Sequence, residues 1–229
     1  MSNTSLQSLL QSHRILTVNE SKEILSQYGF PFNKSVFVSN EQDISQACQN
    51  LSFPLVMKIV SPQIVHKTDV GGVILHLNSV QEVSSAFSSL MTSLHQKFPD
   101  YELQGVVLEE EVPEGIELIA GVVNDPSFGH CLMFGLGGIF VELIQDISFR
   151  LIPASQQDIE SMLDEIKFSK ILDGIRGITV NRTQLINVLT KLSAFTFEQQ
   201  DNIAEIDLNP VIATMNKIVI VDARIVLKK

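Results

Sequence analysis

Residues 55–72 concentrate the side chains best suited to handling phosphate. Leu55-Val56-Met57-Lys58-Ile59-Val60 reads as a buried strand carrying one lysine. It leads into Ser61-Pro62-Gln63-Ile64-Val65-His66-Lys67-Thr68-Asp69-Val70-Gly71-Gly72. Two cations and an imidazole beside glycine amides match the needs of a phosphate group, and the imidazole adds a nucleophile that works at neutral pH. The plainer reading is an exposed strand edge, a surface loop and a turn. A second cluster lies near the C-terminus, where Glu205, Asp207 and Asn209 alternate with Ile206 and Leu208 ahead of Pro210. Strand periodicity puts the three polar side chains on one face. A hairpin turn centred on Met215 and Asn216 sets Asn209 opposite Asp222, with Cβ atoms roughly 5 Å apart. Two oxygen donors at that spacing suit magnesium, which takes few protein ligands and completes its octahedron from water and phosphate oxygens. The alternative is a solvated polar face.

Strand alternation also places carboxylates where burial is expected. In Val106-Val107-Leu108-Glu109-Glu110-Glu111-Val112, Glu110 shares a face with Leu108 and Val112, and Glu117 shares one with Ile119 and Val123. A carboxylate on such a face needs hydrogen-bond partners. The amino and hydroxyl groups of adenine and ribose would supply them, unless the strand is an edge with both faces wet. Phe134-Gly135-Leu136-Gly137-Gly138 is a glycine loop that fits neither the dinucleotide fingerprint nor a lysine-bearing phosphate loop. Arg150, in an apolar strand-like run, could hold phosphate through a bidentate fork, or could pair with Asp146 or a neighbour.

The elements that must position these residues form a mixed α/β pattern. Thr17 to Glu20 makes a capping box that opens a helix ending at Gly29, and Ser79 to Glu82 makes another that starts a helix toward Phe98. Strands are expected at residues 35–38, 55–60, 72–77, 106–112, 116–123, 131–134 and 140–144, and helices at 41–51, 156–166 and 182–197. A hairpin spans 203–226. The texture turns to strands near Pro99 to Gly105, which suggests a lobe boundary there. At 229 residues with 45% hydrophobic and 18% charged content, the chain can bury one large domain or two lobes. A net charge of −10 argues against a nucleic-acid or anionic-membrane binder, so an anionic ligand must meet local cations. Two isolated cysteines, Cys48 and Cys131, indicate neither a disulfide scaffold nor zinc and suit a reducing cytoplasm. No stretch is long and apolar enough to span a bilayer.

Taken in order, Lys58, the loop Val65 to Gly72, the segment Val107 to Val112 with Glu117, the loop Gly135 to Gly138, and Glu205 to Pro210 with Asp222 resemble the ATP-grasp (beta) subunit of ADP-forming acetyl-CoA synthetase. That family belongs to the superfamily of succinyl-CoA synthetase. The likeness runs from about Thr17 to Val226. It implies an ATP-grasp fold over 1–229, with an N-terminal lobe at 25–104, a C-terminal lobe at 105–229 and the nucleotide between them. It further implies that Lys58 meets phosphate, that Glu110 and the backbone of Val112 hold adenine, and that Glu117 binds ribose. Asn209 and Asp222 would ligate Mg2+, and His66 would relay a phosphoryl group with Asp207 beside its ring and Arg150 orienting the phosphoryl. Glu109 and Glu111 flank Glu110, so the adenine-contacting glutamate is open, with Glu109 the other candidate. The implied reaction converts acyl-CoA, ADP and phosphate to acid, CoA and ATP. The implied partner is a CoA-binding alpha subunit, in an α2β2 assembly by resemblance, in the cytoplasm. A stand-alone ATP-grasp carboxylate-amine ligase and a non-catalytic nucleotide-binding module are the alternatives.

Overall fold

In a computed structural model of the chain, the described residues are 15–64, 67–112, 114–138, 146–167, 169–173 and 179–228. They form two compact units, one of residues 33–112 and the other of residues 1–32 with 113–229.

The smaller unit is a four-stranded sheet with helices on one face. Its strands are β1 (Ser35–Val38), β2 (Leu55–Val60), β3 (Val73–Leu77) and β4 (Gly105–Glu110), in the order β1-β4-β2-β3. All described pairings are antiparallel. Leu55, Met57 and Ile59 alternate inward with Val106 and Leu108, and they meet Val83, Phe87, Leu90 and Leu94 of the helix α3 (Val80–Lys97) in a dry core. The short helix α2 (Ile44–Cys48) joins the same core through Ile44, Ala47 and Cys48.

The larger unit contains a six-stranded sheet. Its strands are β5 (Ile116–Asp125), β6 (Gly129–Leu136), β7 (Ile147–Leu151), β8 (Ile203–Ala213), β9 (Ile218–Ile220) and β10 (Ala223–Leu227). The order is β10-β8-β5-β6-β7, with β9 also on β8. Helices α1 (Val18–Gln27), α4 (Gln156–Glu165) and α5 (Arg182–Glu198) contribute Ile24, Leu25, Ile159, Met162, Leu163, Leu185, Leu189 and Leu192 to a core shared with Val122, Leu132, Phe134, Ile206 and Leu208. That core covers one sheet face.

Several expectations hold. Thr17 Oγ1 accepts the Glu20 N–H at 3.3 Å, and the Glu20 carboxylate accepts the Thr17 N–H at 2.8 Å, completing the first capping box. At the second, Ser79 accepts from Glu82, but the Glu82 carboxylate accepts the N–H of Asn78 rather than of Ser79. The helix expected at 41–51 is a 3-10 turn, Glu41–Asp43, followed by α2 alone. No side chain caps its start, and the Asn40 amide donates to Ser39 Oγ. The strand expected at 140–144 lies outside the described residues.

The boundary between the units differs from the expected one. Strand β4 pairs with both β1 and β2, which carries the smaller unit on to Val112. The N-terminal helix α1 belongs with the other unit, where the N–H of Ile225 donates to Ser21 Oγ at 3.1 Å.

Candidate functional site

In the smaller unit, strand register sorts the glutamates. Val56 pairs with Glu109 and Lys58 with Val107, while Leu55 pairs with Glu110 and Met57 with Leu108. Residues paired across a ladder share a face. Lys58 and Glu109 therefore lie on the face opposite the helices, and their ammonium and carboxylate are in direct contact. Glu109 is 6% exposed, and the Asn33 amide stands 3.5 Å from its carboxylate. Glu110 does share its face with Leu108, as alternation predicts, but it sits at the strand end. There it accepts the Ser52 N–H at 2.9 Å and faces Lys34 at 4.0 Å. Glu111 accepts from the backbone of His76 at 3.1 Å and meets its imidazole at 2.7 Å, holding a residue whose φ of 58° is unusual outside glycine. Of the three, Glu109 is the one beside Lys58. Val112 lies two residues beyond the end of β4 and is half-buried.

His66 lies outside the described residues, but the end of its loop is well defined. Gly72 N–H donates to Lys67 O at 2.7 Å, Gly71 N–H to Thr68 O at 3.0 Å, and Ile59 N–H to Gly72 O at 2.8 Å. A Cβ on Gly72 would stand 2.5 Å from Ile59 Cγ2 and 2.9 Å from Lys67 O, and Gly71 has a φ of 76°. These two glycines form a tight turn that returns the chain to β3.

In the larger unit, the expected hairpin register is found. Leu208 pairs with Ala223, Asp207 with Arg224 and Val211 with Ile220, and the N–H of Asn209 donates to Asp222 O at 3.3 Å. The alternation breaks at this point. Leu208 and Val211 are both buried, as are Ile220 and Ala223, so each strand has two residues between successive core contacts. The register between β8 and β5 shifts by one residue here, opposite Ile119. Such bulges re-aim side chains next to functional sites. Asn209 is exposed and Asp222 half-exposed, with one Asp222 carboxylate oxygen accepting the Ala223 N–H at 2.8 Å. An amide oxygen and a carboxylate fit the hard-oxygen preference of Mg2+. Among the described residues no group of three or more His, Cys, Asp or Glu side chains could hold a metal, so the magnesium reading rests on this two-residue set.

Glu117 is exposed on β5, with its backbone oxygen taken by the Gly137 N–H at 2.8 Å. A Cβ on Gly138 would come within 2.8 Å of the Glu117 carboxylate, so the glycine loop gives that carboxylate room.

Arg150 is placed apart from Asp207. Leu132 pairs with Arg150 and Val122 with both Leu132 and Ile206, which puts Arg150 on the helix-covered face. Asp207, Gly121, Met133 and Phe149 pair along the opposite face. The Arg150 guanidinium forms a fork with Glu165 at 2.6 and 2.8 Å and also donates to Asp158 O, Phe149 O, Ser148 Oγ and Ser161 Oγ. The salt-bridge alternative describes this residue, with Glu165 as the partner instead of Asp146.

On the face opposite the helices, Glu205, Asp207, Arg224, Val123, Met133 and Val226 line a cavity of about 260 Å³. Burial raises the pKa of Asp207, an effect that Arg224 opposes and Asp222 reinforces. Sequence reasoning singled out Asp207 but missed Arg224. The hairpin register that opposes Asn209 to Asp222 also opposes Asp207 to Arg224, so the signal was present.

A family model described as an ATP-grasp domain matches residues 7–227. The beta subunit of acetate–CoA ligase (ADP-forming) I from Pyrococcus furiosus is 41% identical over 216 residues, which is 94% of this chain and 93% of the relative. Acetate–CoA ligase (ADP-forming) II from Archaeoglobus fulgidus is 40% identical over 93% of this chain, which spans only 30% of that longer protein. A solved structure of acetyl-coenzyme A synthetase 1 from Ca. Korarchaeum cryptofilum superimposes with a TM-score of 0.81 and 40% identity over 97% of each chain. It is a complex with coenzyme A and Mg-AMPPCP, with the phosphohistidine segment pointing towards the nucleotide binding site.

Proposed function

Because this chain belongs to the ATP-grasp domain family, we infer that it is the nucleotide-handling beta subunit of an ADP-forming acyl-CoA synthetase, interconverting acyl-CoA, ADP and phosphate with acid, CoA and ATP. The observation that carries this reading is the face of β8 and β10 where Asp207, Asn209, Asp222 and Arg224 stand in register, with no covering helix among the described residues of their own unit. That arrangement serves a phosphoryl group and its magnesium, and it accompanies close similarity to a synthetase whose solved complex has a phosphohistidine segment pointing towards the nucleotide binding site.

In this reading Lys58 contacts nucleotide phosphate with Glu109 behind it, Val112 and one of Glu109 and Glu110 meet adenine, and Glu117 takes the ribose hydroxyls. Asn209 and Asp222 hold Mg2+, which neutralises phosphate charge when bound. His66 accepts the phosphoryl group and passes it on, with Asp207 the residue that goes beside the phosphorylated ring. Arg150 acts through Glu165 to fix α4 against β7. Transfer then depends mainly on positioning and charge compensation, as phosphoryl transfer generally does. The beta-subunit relatives support an alpha subunit as partner; in this reading that partner binds CoA, the complex is α2β2 and the reaction runs in the cytoplasm.

Incubation of the chain and its partner subunit with γ-labelled ATP tests this. Acid-labile label on His66, absent from His66→Ala, is the expected result. ATP binding with no label in the complete complex would favour a non-catalytic module, and amide formation by the chain alone would favour a carboxylate-amine ligase.

A further inference from the structure

Among the described residues His76 is the one non-glycine with a positive φ, 58°. It sits in a bulge of β3: Ile74 pairs with Met57 and Leu77 with Leu55, so Leu75 and His76 stand opposite Val56 alone. Glycine or asparagine would take this backbone with less strain, and the side chain is 75% exposed, so packing does not demand a histidine. What the histidine adds is a grip on one carboxylate. Glu111 accepts the His76 N–H at 3.1 Å on one oxygen and meets Nδ1 at 2.7 Å on the other. The Asn78 amide donates to the His76 carbonyl at 2.6 Å, which holds the bulge from its far side. With its proton on Nδ1 the ring donates whether it is neutral or charged.

We propose that His76 is a positioning residue for the nucleotide base, acting through Glu111 to fix the segment Glu110 to Val112. The proposal rests on the reading above that this segment holds adenine. In the sheet β2 lies between β4 and β3, so the Glu111 side chain crosses the start of β2 to reach the bulge. Among the described residues His76 alone bonds the Glu111 carboxylate. The rest of the segment is held from other directions. The Glu111 N–H donates to Pro54 O at 2.9 Å, the Ser52 N–H to the Glu110 carboxylate at 2.9 Å, and the Asn33 amide to Glu110 O at 3.1 Å.

Val112 lies beyond the last ladder pair of β4, Leu55 with Glu110, so its backbone depends on what restrains Glu111. Hydrogen bonds to a base need backbone groups at fixed positions, and a segment ordered before binding loses less entropy when the base arrives. The clamp also turns the Glu111 carboxylate towards β3, which takes it out of competition with Glu109 and Glu110 for the base. A histidine at a backbone position suited to glycine is thereby explained by the carboxylate it holds.

The test measures Mg-ATP affinity of the full chain by calorimetry, with KM for ATP and kcat of the complete complex. His76→Gly should weaken Mg-ATP binding by about tenfold, the scale of a lost hydrogen bond to a charged group. KM should rise by a similar factor with kcat within about threefold, as for an interaction that serves binding alone. Tm should hold, because glycine takes the positive φ without strain. His76→Asn tolerates the same backbone and offers an amide donor, so it should bind within about threefold of the parent. Glu111→Ala should itself weaken binding, and adding His76→Gly to it should cost nothing further. Parent-like affinity in His76→Gly would overturn the proposal. So would an equal loss with and without the Glu111 carboxylate, or a loss that follows a fall in Tm and that asparagine does not recover. A parent chain that binds no Mg-ATP is a different result and defeats the nucleotide-handling reading itself.

Discussion

Arg150 commits its guanidinium to Glu165 on the helix side of the larger sheet, and this determines how a substitution there should behave. Hydrogen bonds from Arg150 and then from Ser148 hold the Glu165 carboxyl below the usual range. A carboxyl with a depressed folded-state pKa adds stability above its unfolded pKa of about 4.3, and that stability is lost as pH falls through the folded value. Arg150→Gln should therefore lower Tm at pH 7, and the gap to the parent should close below about pH 4 in thermal melts. Labelling of the chain by ATP should be little changed, whereas a large loss of labelling without a change in Tm would return Arg150 to the phosphoryl group. Asp222→Asn should raise the magnesium needed for half-maximal labelling by about tenfold, through loss of a charged ligand. An unshifted magnesium titration would leave Asp222 with only its bond to the Ala223 N–H. The Asn209–Asp222 pair was legible in the sequence because alternation and one turn position fix it. The facing of Arg150 was not, because it depends on the register of β7 against β6, which no local pattern encodes.

At the scale of elements, the turn Lys67 to Gly72 separates two reasons for a glycine. Gly71 has left-handed backbone and open space around its Cα, so Gly71→Ala should cost about 1 kcal/mol and Gly71→Asn less. Gly72 is pressed against Ile59 and the Lys67 carbonyl, so Gly72→Ala should cost about 3 kcal/mol, and asparagine should not relieve it. Urea melts of the four variants measure this, and equal costs at the two positions would contradict the packing account. The first capping box was legible because it is closed within four residues by side-chain to backbone bonds, whereas at the second only the Ser79 half forms. The helix expected at 41–51 was legible in place but not in extent, since residues 41–43 form a 3-10 turn and α2 ends at Cys48. The lobe boundary was misread. Composition changes near Gly105, but β4 is claimed by β1 and β2 through long-range pairing, and α1 by β10 from the far end of the chain.

For the molecule as a whole, each unit has its own core, but the chemistry assigned to the chain is incomplete without a CoA-binding surface. The A. fulgidus relative, of which this chain spans 30%, shows that the same domain also occurs within a much longer polypeptide, whereas the P. furiosus relative is a beta subunit of similar length. A phosphoryl relay needs a donor or acceptor beyond its own nucleotide, so a separate beta subunit must meet one on another chain. The purified chain should therefore bind ADP and ATP, and Mg-ATP should raise its Tm in a concentration-dependent way, because a ligand that binds only the folded state stabilises it by mass action. It should form no acyl-CoA alone. Mixed with a CoA-binding alpha subunit, it should elute as a larger hetero-oligomer in size-exclusion chromatography and gain synthetase activity, with His66→Ala assembling normally but remaining inactive. Acyl-CoA formation by the pure chain would show that the half-enzyme account is wrong.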